Sequence, residues 1–186
     1  AMKRLDQTDI RRTVVLTGTR RVGKTTIQYQ MIETLLERGI APQKIVFISM
    51  DHPMLKLSQF QDVLDCYHEN IYADQDVYYF FDEVQYAQDW DLWLKTIYDN
   101  QPDTRVVATG SASPALMKGS RESGAGRLSV IQVPTLSFYE YCELLGVDRP
   151  DIPEDLKVTS LLNKSQIERT QIMLQLSKVQ NHFMRY

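Results

Sequence analysis

Short apolar runs alternate along the chain with longer amphipathic stretches, the order expected of a parallel α/β sheet. Thr13 to Leu16 reads as the first strand, and the helix after it spans Lys24 to Arg38 with Gly39 as its C-cap. On that helix Ile27, Met31, Leu35 and Tyr29, Ile32, Leu36 recur at helical spacing. Ile45 to Met50 is a second buried strand, and Ser58 is placed to cap a helix on which Phe60, Val63, Leu64, Tyr67 and Ile71 share a face. Val77 to Phe81 forms the third strand, apolar throughout because helices cover both faces of such a sheet. Asp89 begins a helix with Trp90, Trp93, Leu94 and Ile97 turned inward; Arg105 to Ala108 and Leu128 to Val133 are the fourth and fifth strands.

Beyond the fifth strand the chain turns mostly helical. Phe138, Tyr139, Tyr141 and Leu144 read as one helix face, and Ser165 to Tyr186 as one helix with Ile172, Leu176, Val179 and Phe183 on a stripe. The pattern predicts an α/β core over residues 1–135 and a helical extension over residues 136–186. The last helix stops without a cap or polar tail and Met2 sits behind Ala1, so the chain reads as a piece of something longer.

Chemistry enters directly after the first strand, where Gly18, Thr19, Arg20, Arg21, Val22, Gly23, Lys24 and Thr25 spell G-x-x-x-x-G-K-T. A glycine-rich loop lets successive backbone N–H groups close around phosphates, while Lys24 supplies a point charge toward the β/γ oxygens and Thr25 a hydroxyl for Mg²⁺. Thr26 opens the helix whose N-terminus would face the anion. The strand before the loop and the helix after it are the context this motif requires, and they predict a nucleoside triphosphate site.

Asp82 and Glu83 follow the third strand at once, a Walker B pattern in which the strand delivers an acid to the sheet edge beside the phosphate loop. Asp82 is placed to hold Mg²⁺, and Glu83 to orient and polarise the attacking water as general base. Thr109 ends the fourth strand with a hydroxyl in reach of the γ-phosphate or that water. In the basic loop from Lys118 to Arg127, Arg127, and after it Arg121, are the candidates for stabilising transition-state charge.

Composition narrows the classes. With 186 residues, 43% of them hydrophobic, the chain suits one globular domain with a sizeable core and a small appendage. No apolar run approaches membrane-spanning length, so no membrane is expected as partner. A formal net charge of −3 gives no bulk support for nucleic-acid binding. Cys66 and Cys142 lie far apart and His52, His68 and His182 lack ligand spacing, which predicts neither disulfide nor zinc. No signal or lipidation pattern is present, and a reducing cytoplasm is the expected compartment.

Taken in order, Gly18 to Thr26, then Phe80-Phe81-Asp82-Glu83-Val84-Gln85, then Ala108 to Ser113, then Gly126-Arg127 ahead of Pro134 to Glu140, resemble the prokaryotic AAA-type ATPases that precede a C-terminal domain of unknown function. The resemblance spans about Ile10 to Glu143. It implies the additional-strand (ASCE) P-loop NTPase fold, ATP with Mg²⁺, and the roles given above for Lys24, Thr25, Asp82, Glu83 and Thr109. The family's Gly-Arg element falls on Gly126-Arg127 and its loop arginine on Arg20. Thr19 stands where the family often has Pro and Arg21 where Gln is common, changes that leave the glycines and the lysine in place. The family's C-terminal domain, similar to restriction-endonuclease folds, is missing from this chain and is the partner the resemblance implies, with room for a homo-oligomer.

The run Asn163-Lys164-Ser165-Gln166 mimics the N-K-x-D guanine reader, but a Gln166 amide cannot accept both guanine N–H donors as a carboxylate does, which favours ATP over GTP. The expected function is therefore a Mg²⁺-dependent ATPase domain that couples hydrolysis to conformational change in an attached domain or partner. A nucleotide-gated binding switch with little intrinsic hydrolysis is the alternative, and a small-molecule kinase a third.

Overall fold

Runs that are apolar through most of their length pair in this chain as five parallel strands, in the order β2-β3-β4-β1-β5. The computed structural model describes residues 1–6, 12–57, 60–111, 126–153 and 156–184. The strands are β1 (Thr13–Gly18), β2 (Ile45–Ser49), β3 (Tyr78–Asp82), β4 (Arg105–Ser111) and β5 (Leu128–Gln132). This is an α/β fold of the P-loop type: β4 lies between β1 and β3, so one additional strand separates the strand that leads into the loop from the strand that ends in the acids.

Period-two alternation assigns the two faces of the sheet to different helices. Val15, Tyr79, Phe81, Val106 and Ala108 point to one face, where they meet Leu64 of α3 (Phe60–Asn70) and Leu94 and Ile97 of α4 (Trp90–Asn100). Val14, Leu16, Phe80 and Val107 point to the other, against Met31 and Leu35 of α2 (Lys24–Glu37) and Leu5 of α1 (Met2–Leu5). The central strand residues are almost wholly buried, Val14, Val15, Tyr79, Phe80 and Phe81 each at 0% exposure, which is why their sequence shows no polar alternation. Tyr79 keeps its hydroxyl satisfied by donating to His68 Nε2, while His68 Nδ1 donates to the Tyr72 carbonyl. Burial pushes the Tyr79 phenol above its ordinary value.

Helix α2 ends as expected near Gly39, which takes φ +82°. The Gly39 N–H bonds the Leu36 carbonyl and the Ile40 N–H the Leu35 carbonyl, closing a Schellman turn. Two helix details differ from the sequence reading. Helix α3 stops at Asn70, and Ile71, one residue past it, is exposed rather than on the buried face. The proposed cap at Ser58 lies outside the described residues.

The chain divides into two compact units, Ala1–Thr135 and Leu136–Tyr186. The second contains α5 (Phe138–Leu144), a 3₁₀ turn over Val158–Asn163 and α6 (Gln166–Phe183). Both helices open with a capping box, Ser137 with Glu140 and Ser165 with Glu168. Bonds from the serine hydroxyls and N–H groups hold both carboxylates below their usual range. The Asn163-Lys164-Ser165-Gln166 run is thereby explained as a helix start; it follows a 3₁₀ turn and not a strand. On α5 the buried position is Cys142, while Tyr139 and Leu144 are exposed, contrary to the face read from the sequence. On α6 Ile172 and Val179 are buried, but Leu176 and Phe183 at the same stripe are exposed.

Truncating Phe80, packed on the α2 face, should cost about 3–5 kcal/mol in Phe80→Ala by urea unfolding. Gly39→Ala, strained only by its positive φ, should cost about 1 kcal/mol.

Candidate functional site

Every parallel strand of the sheet delivers its C-terminal residue to the same edge, where the predicted loop, Lys24, Thr25, Asp82, Glu83 and Thr109 meet. β1 leads into the loop Thr19 to Gly23, in which Arg21 takes φ +67° and Gly23 φ +90°. A left-handed residue without glycine is uncommon, and Arg21 holds one at the crest of the loop. Gly18 is needed for a different reason: a Cβ there would sit 2.5 Å from the Val133 carbonyl oxygen, because the chain leaving β5 crosses close to the loop entrance.

The loop's turn into α2 aligns donors. Ile27 N–H closes on the Gly23 carbonyl at 2.9 Å, so the N–H groups ahead of it in the turn lack an intrahelical acceptor. Lys24 is only 4% exposed, and its ammonium donates to the Gly18 and Thr19 carbonyls at 3.2 and 3.0 Å. The cation is thus folded back over the loop rather than extended into solvent. Arg20 and Arg21 are exposed on the same loop. Thr19, Val22 and Thr26 complete the expected set; Thr26, on the first turn of α2, is exposed.

Asp82 ties the loop to the sheet. Its carboxylate accepts the Thr25 hydroxyl at 2.9 Å to Oδ2 and 3.1 Å to Oδ1, across the width of β4. Thr109 on β4 donates its hydroxyl to Asp82 Oδ1 and accepts the Glu83 N–H at 3.0 Å. These side-chain bonds begin where the backbone pairing of β3 with β4 stops, at Phe81 opposite Ala108. Beneath them the Gln28 amide of α2 donates to the Phe81 and Val107 carbonyls at 3.1 and 3.4 Å. Its Oε1, fully buried, has no partner among the described residues.

Glu83 takes a left-handed conformation, φ 54° and ψ 49°, which turns the chain off β3 into a 3₁₀ turn, Val84–Tyr86. Its carboxylate accepts a bond from the Gln85 amide, and Gln85 Oε1 in turn accepts the Ser111 N–H at 3.3 Å. Gln85 is a residue to which the sequence reading assigned no role, although it stands inside the Phe-Phe-Asp-Glu-Val-Gln run; the signal was its place two residues after Glu83 in a turn.

Two of the expected residues are placed differently from the others. Thr109 is buried at 0% exposure, and its hydroxyl bonds Asp82 and the Glu83 N–H, so it braces the acids. Arg127 is not brought to the site in its own chain. Parallel register puts it at the N-terminal edge, where its carbonyl accepts the Thr13 N–H and its guanidinium pairs with Asp99 at 2.9 Å. Gly18 lies at the far end of the same strand from Thr13, about 17 Å away at roughly 3.3 Å per residue. Arg121 falls outside the described residues.

The donor set fits the groups inferred for it. A hydroxyl and a carboxylate in mutual contact are the hard oxygen ligands suited to Mg²⁺. A buried ammonium beside a helix N-terminus suits a polyphosphate. Among the described residues no group of three or more His, Cys, Asp or Glu is placed to hold a metal ion, and no helix is long and apolar enough to cross a membrane.

A family model described as an AAA domain matches residues 10–142. The chain is 32% identical over 111 residues to an uncharacterized protein of Methanocaldococcus jannaschii, covering 58% of this chain and 23% of that protein. It is 28% identical over 139 residues to an uncharacterized protein of Haemophilus influenzae, covering 72% of this chain and 34% of that one. The match therefore spans about a quarter to a third of these curated relatives' length.

Replacing Thr109 by the isosteric Val would remove the Glu83 N–H's bond and one of the two bonds to Asp82 Oδ1. Thr109→Val should lose about 1–3 kcal/mol of stability in urea titration, and Thr109→Ser should restore most of it.

Proposed function

Because the chain belongs to the AAA domain family, we propose that it is a Mg²⁺-dependent ATPase domain that couples hydrolysis to conformational change in an attached domain or partner. The observation that carries this reading is the contact of the Thr25 hydroxyl with the Asp82 carboxylate, with the Lys24 ammonium folded back on the loop, three groups from the start of α2 and the end of β3. Lys24 and the N–H groups at the start of α2 hold the triphosphate. Thr25 and Asp82 hold the metal, which when bound offsets phosphate charge and polarises the γ-phosphoryl group. Glu83 orients a water and takes its proton as the water oxygen bonds the γ-phosphorus. The bond from that phosphorus to the bridging oxygen breaks, and ADP and inorganic phosphate leave.

The position of Arg127 favours a second reading. With that guanidinium paired to Asp99 at the opposite edge, its own chain does not supply it to the γ-phosphate. A nucleotide-gated switch, slow to hydrolyse until a second copy or another chain contributes charge, follows from that geometry. A C-terminal domain of the same protein and a homo-oligomer remain the proposed partners, and the cytoplasm the proposed compartment. The small-molecule kinase is not carried by any observation.

Calorimetric titration and steady-state phosphate release test these readings together. Lys24→Ala should weaken Mg·ATP binding by about 10- to 100-fold, the worth of a charge-assisted bond. Glu83→Gln should bind Mg·ATP like the parent while phosphate release falls about 10²-fold or more. Binding unchanged in Lys24→Ala would contradict the ATPase and the switch alike. Parent binding with no release would favour the switch.

A further inference from the structure

The Glu83 carboxylate is held by a neighbour that no part of the ATPase reading uses. Gln85 donates from Nε2 to Glu83 Oε2 and accepts at Oε1 from the Ser111 N–H. The orientation of the amide is determined by its partners: a carboxylate can only accept and a backbone N–H can only donate, so a flipped amide would lose both bonds. The Glu83 backbone is tethered independently, through its own N–H to the Thr109 hydroxyl. Both tethers end on β4, at Thr109 and at Ser111 two residues on. Glu83 itself leaves β3 in a left-handed conformation, without ladder bonds of its own.

We propose that Gln85 is a positioning residue for Glu83: it fixes the direction of the candidate general base by clamping one carboxylate oxygen to the end of β4, leaving the other oxygen to face the attacking water. This rests on the ATPase reading and deepens it. The residue type is specific to the task. An amide offers one donor and one acceptor in a rigid plane, so it bridges a carboxylate and an N–H at once, and being neutral it adds no charge beside the base. A lysine would neutralise the carboxylate, and a glutamate would set a like charge against it. A glutamine also has the length to reach back two residues while its far side meets β4. Because only the direction of Glu83 depends on it, Gln85 acts on the transition state and not on the bound ground state.

The test compares the parent with Gln85→Met, which preserves length and removes both hydrogen bonds, and with Gln85→Ala in case either variant folds poorly; thermal unfolding identifies the folded ones. The probes are Mg·ADP alone and Mg·ADP with aluminium fluoride, which demands an in-line water, measured by calorimetry beside steady-state phosphate release. The expected result is Mg·ADP affinity within twofold of the parent, aluminium fluoride complex affinity lowered about 10- to 100-fold, and kcat lowered to match with KM unchanged. A variant that keeps the parent's preference for the aluminium fluoride complex and its kcat overturns the proposal and leaves the ATPase reading standing. A parent that fails to bind Mg·ADP at all overturns the ATPase reading, and the positioning role falls with it.

Discussion

Between β3 and β4 the backbone ladder ends one residue short of the chemistry, and the structure around the site depends on what replaces it. The pairing stops at Phe81 and Ala108, and from there the two strands are joined by side chains: Asp82 to Thr109, the Glu83 amide to Thr109, and Gln85 to Ser111. Below this seam Gln28 reaches up from α2 to the Phe81 and Val107 carbonyls. Where a ladder ends, the polar groups beyond it must be met by other partners. The exchange of ladder bonds for side-chain bonds is what gives two adjacent acids room to project from one strand end.

Asp82 sits at the centre of that seam, buried to 6% exposure and accepting from hydroxyls on both sides. A carboxylate so placed is acceptable only with its lone pairs met. Thr25 meets it from the loop and Thr109 from the sheet, so the same contacts that satisfy burial also set the distance between the loop and the acids. Two of the three described non-glycine residues at positive φ, Arg21 and Glu83, belong to this site, and the third, Asp89, opens α4. The rest of the core is apolar and regular. Its two faces are filled by alternate residues of the same strands, which leaves the irregular geometry to the edge where function is read.

Much of this was legible in the chain because burial on both faces writes strands as unbroken apolar runs, and because a loop of fixed spacing sat between one such run and an amphipathic helix. The strand ends were less legible, for a related reason. β1 continues through Thr17 and Gly18 and β4 through Thr109, Gly110 and Ser111, polar or small residues that hydropathy assigns to turns but that belong to the ladder with β1. Hydropathy fades where chemistry begins. Arg127 shows a second limit: a Gly-Arg pair near a strand carries no information about which edge it occupies until strand direction and order are known. Gln85 shows a third, since a lone glutamine becomes meaningful only once its two partners are seen to face each other across it. The seven-residue α5 was misjudged at Tyr139 and Leu144 because so short a helix buries little more than one position, here Cys142.

The central claim is that the loop, Lys24, Thr25 and Asp82 form one polyphosphate and metal site. A crystal structure of this chain with Mg²⁺ and a non-hydrolysable ATP analogue addresses it most directly. The account predicts the Lys24 ammonium moved from the Gly18 and Thr19 carbonyls onto β- and γ-phosphate oxygens, with Thr25 Oγ1 about 2.1 Å from the metal. An analogue bound elsewhere, with Lys24 still donating to those two carbonyls and Thr25 still bonded to Asp82, would contradict it.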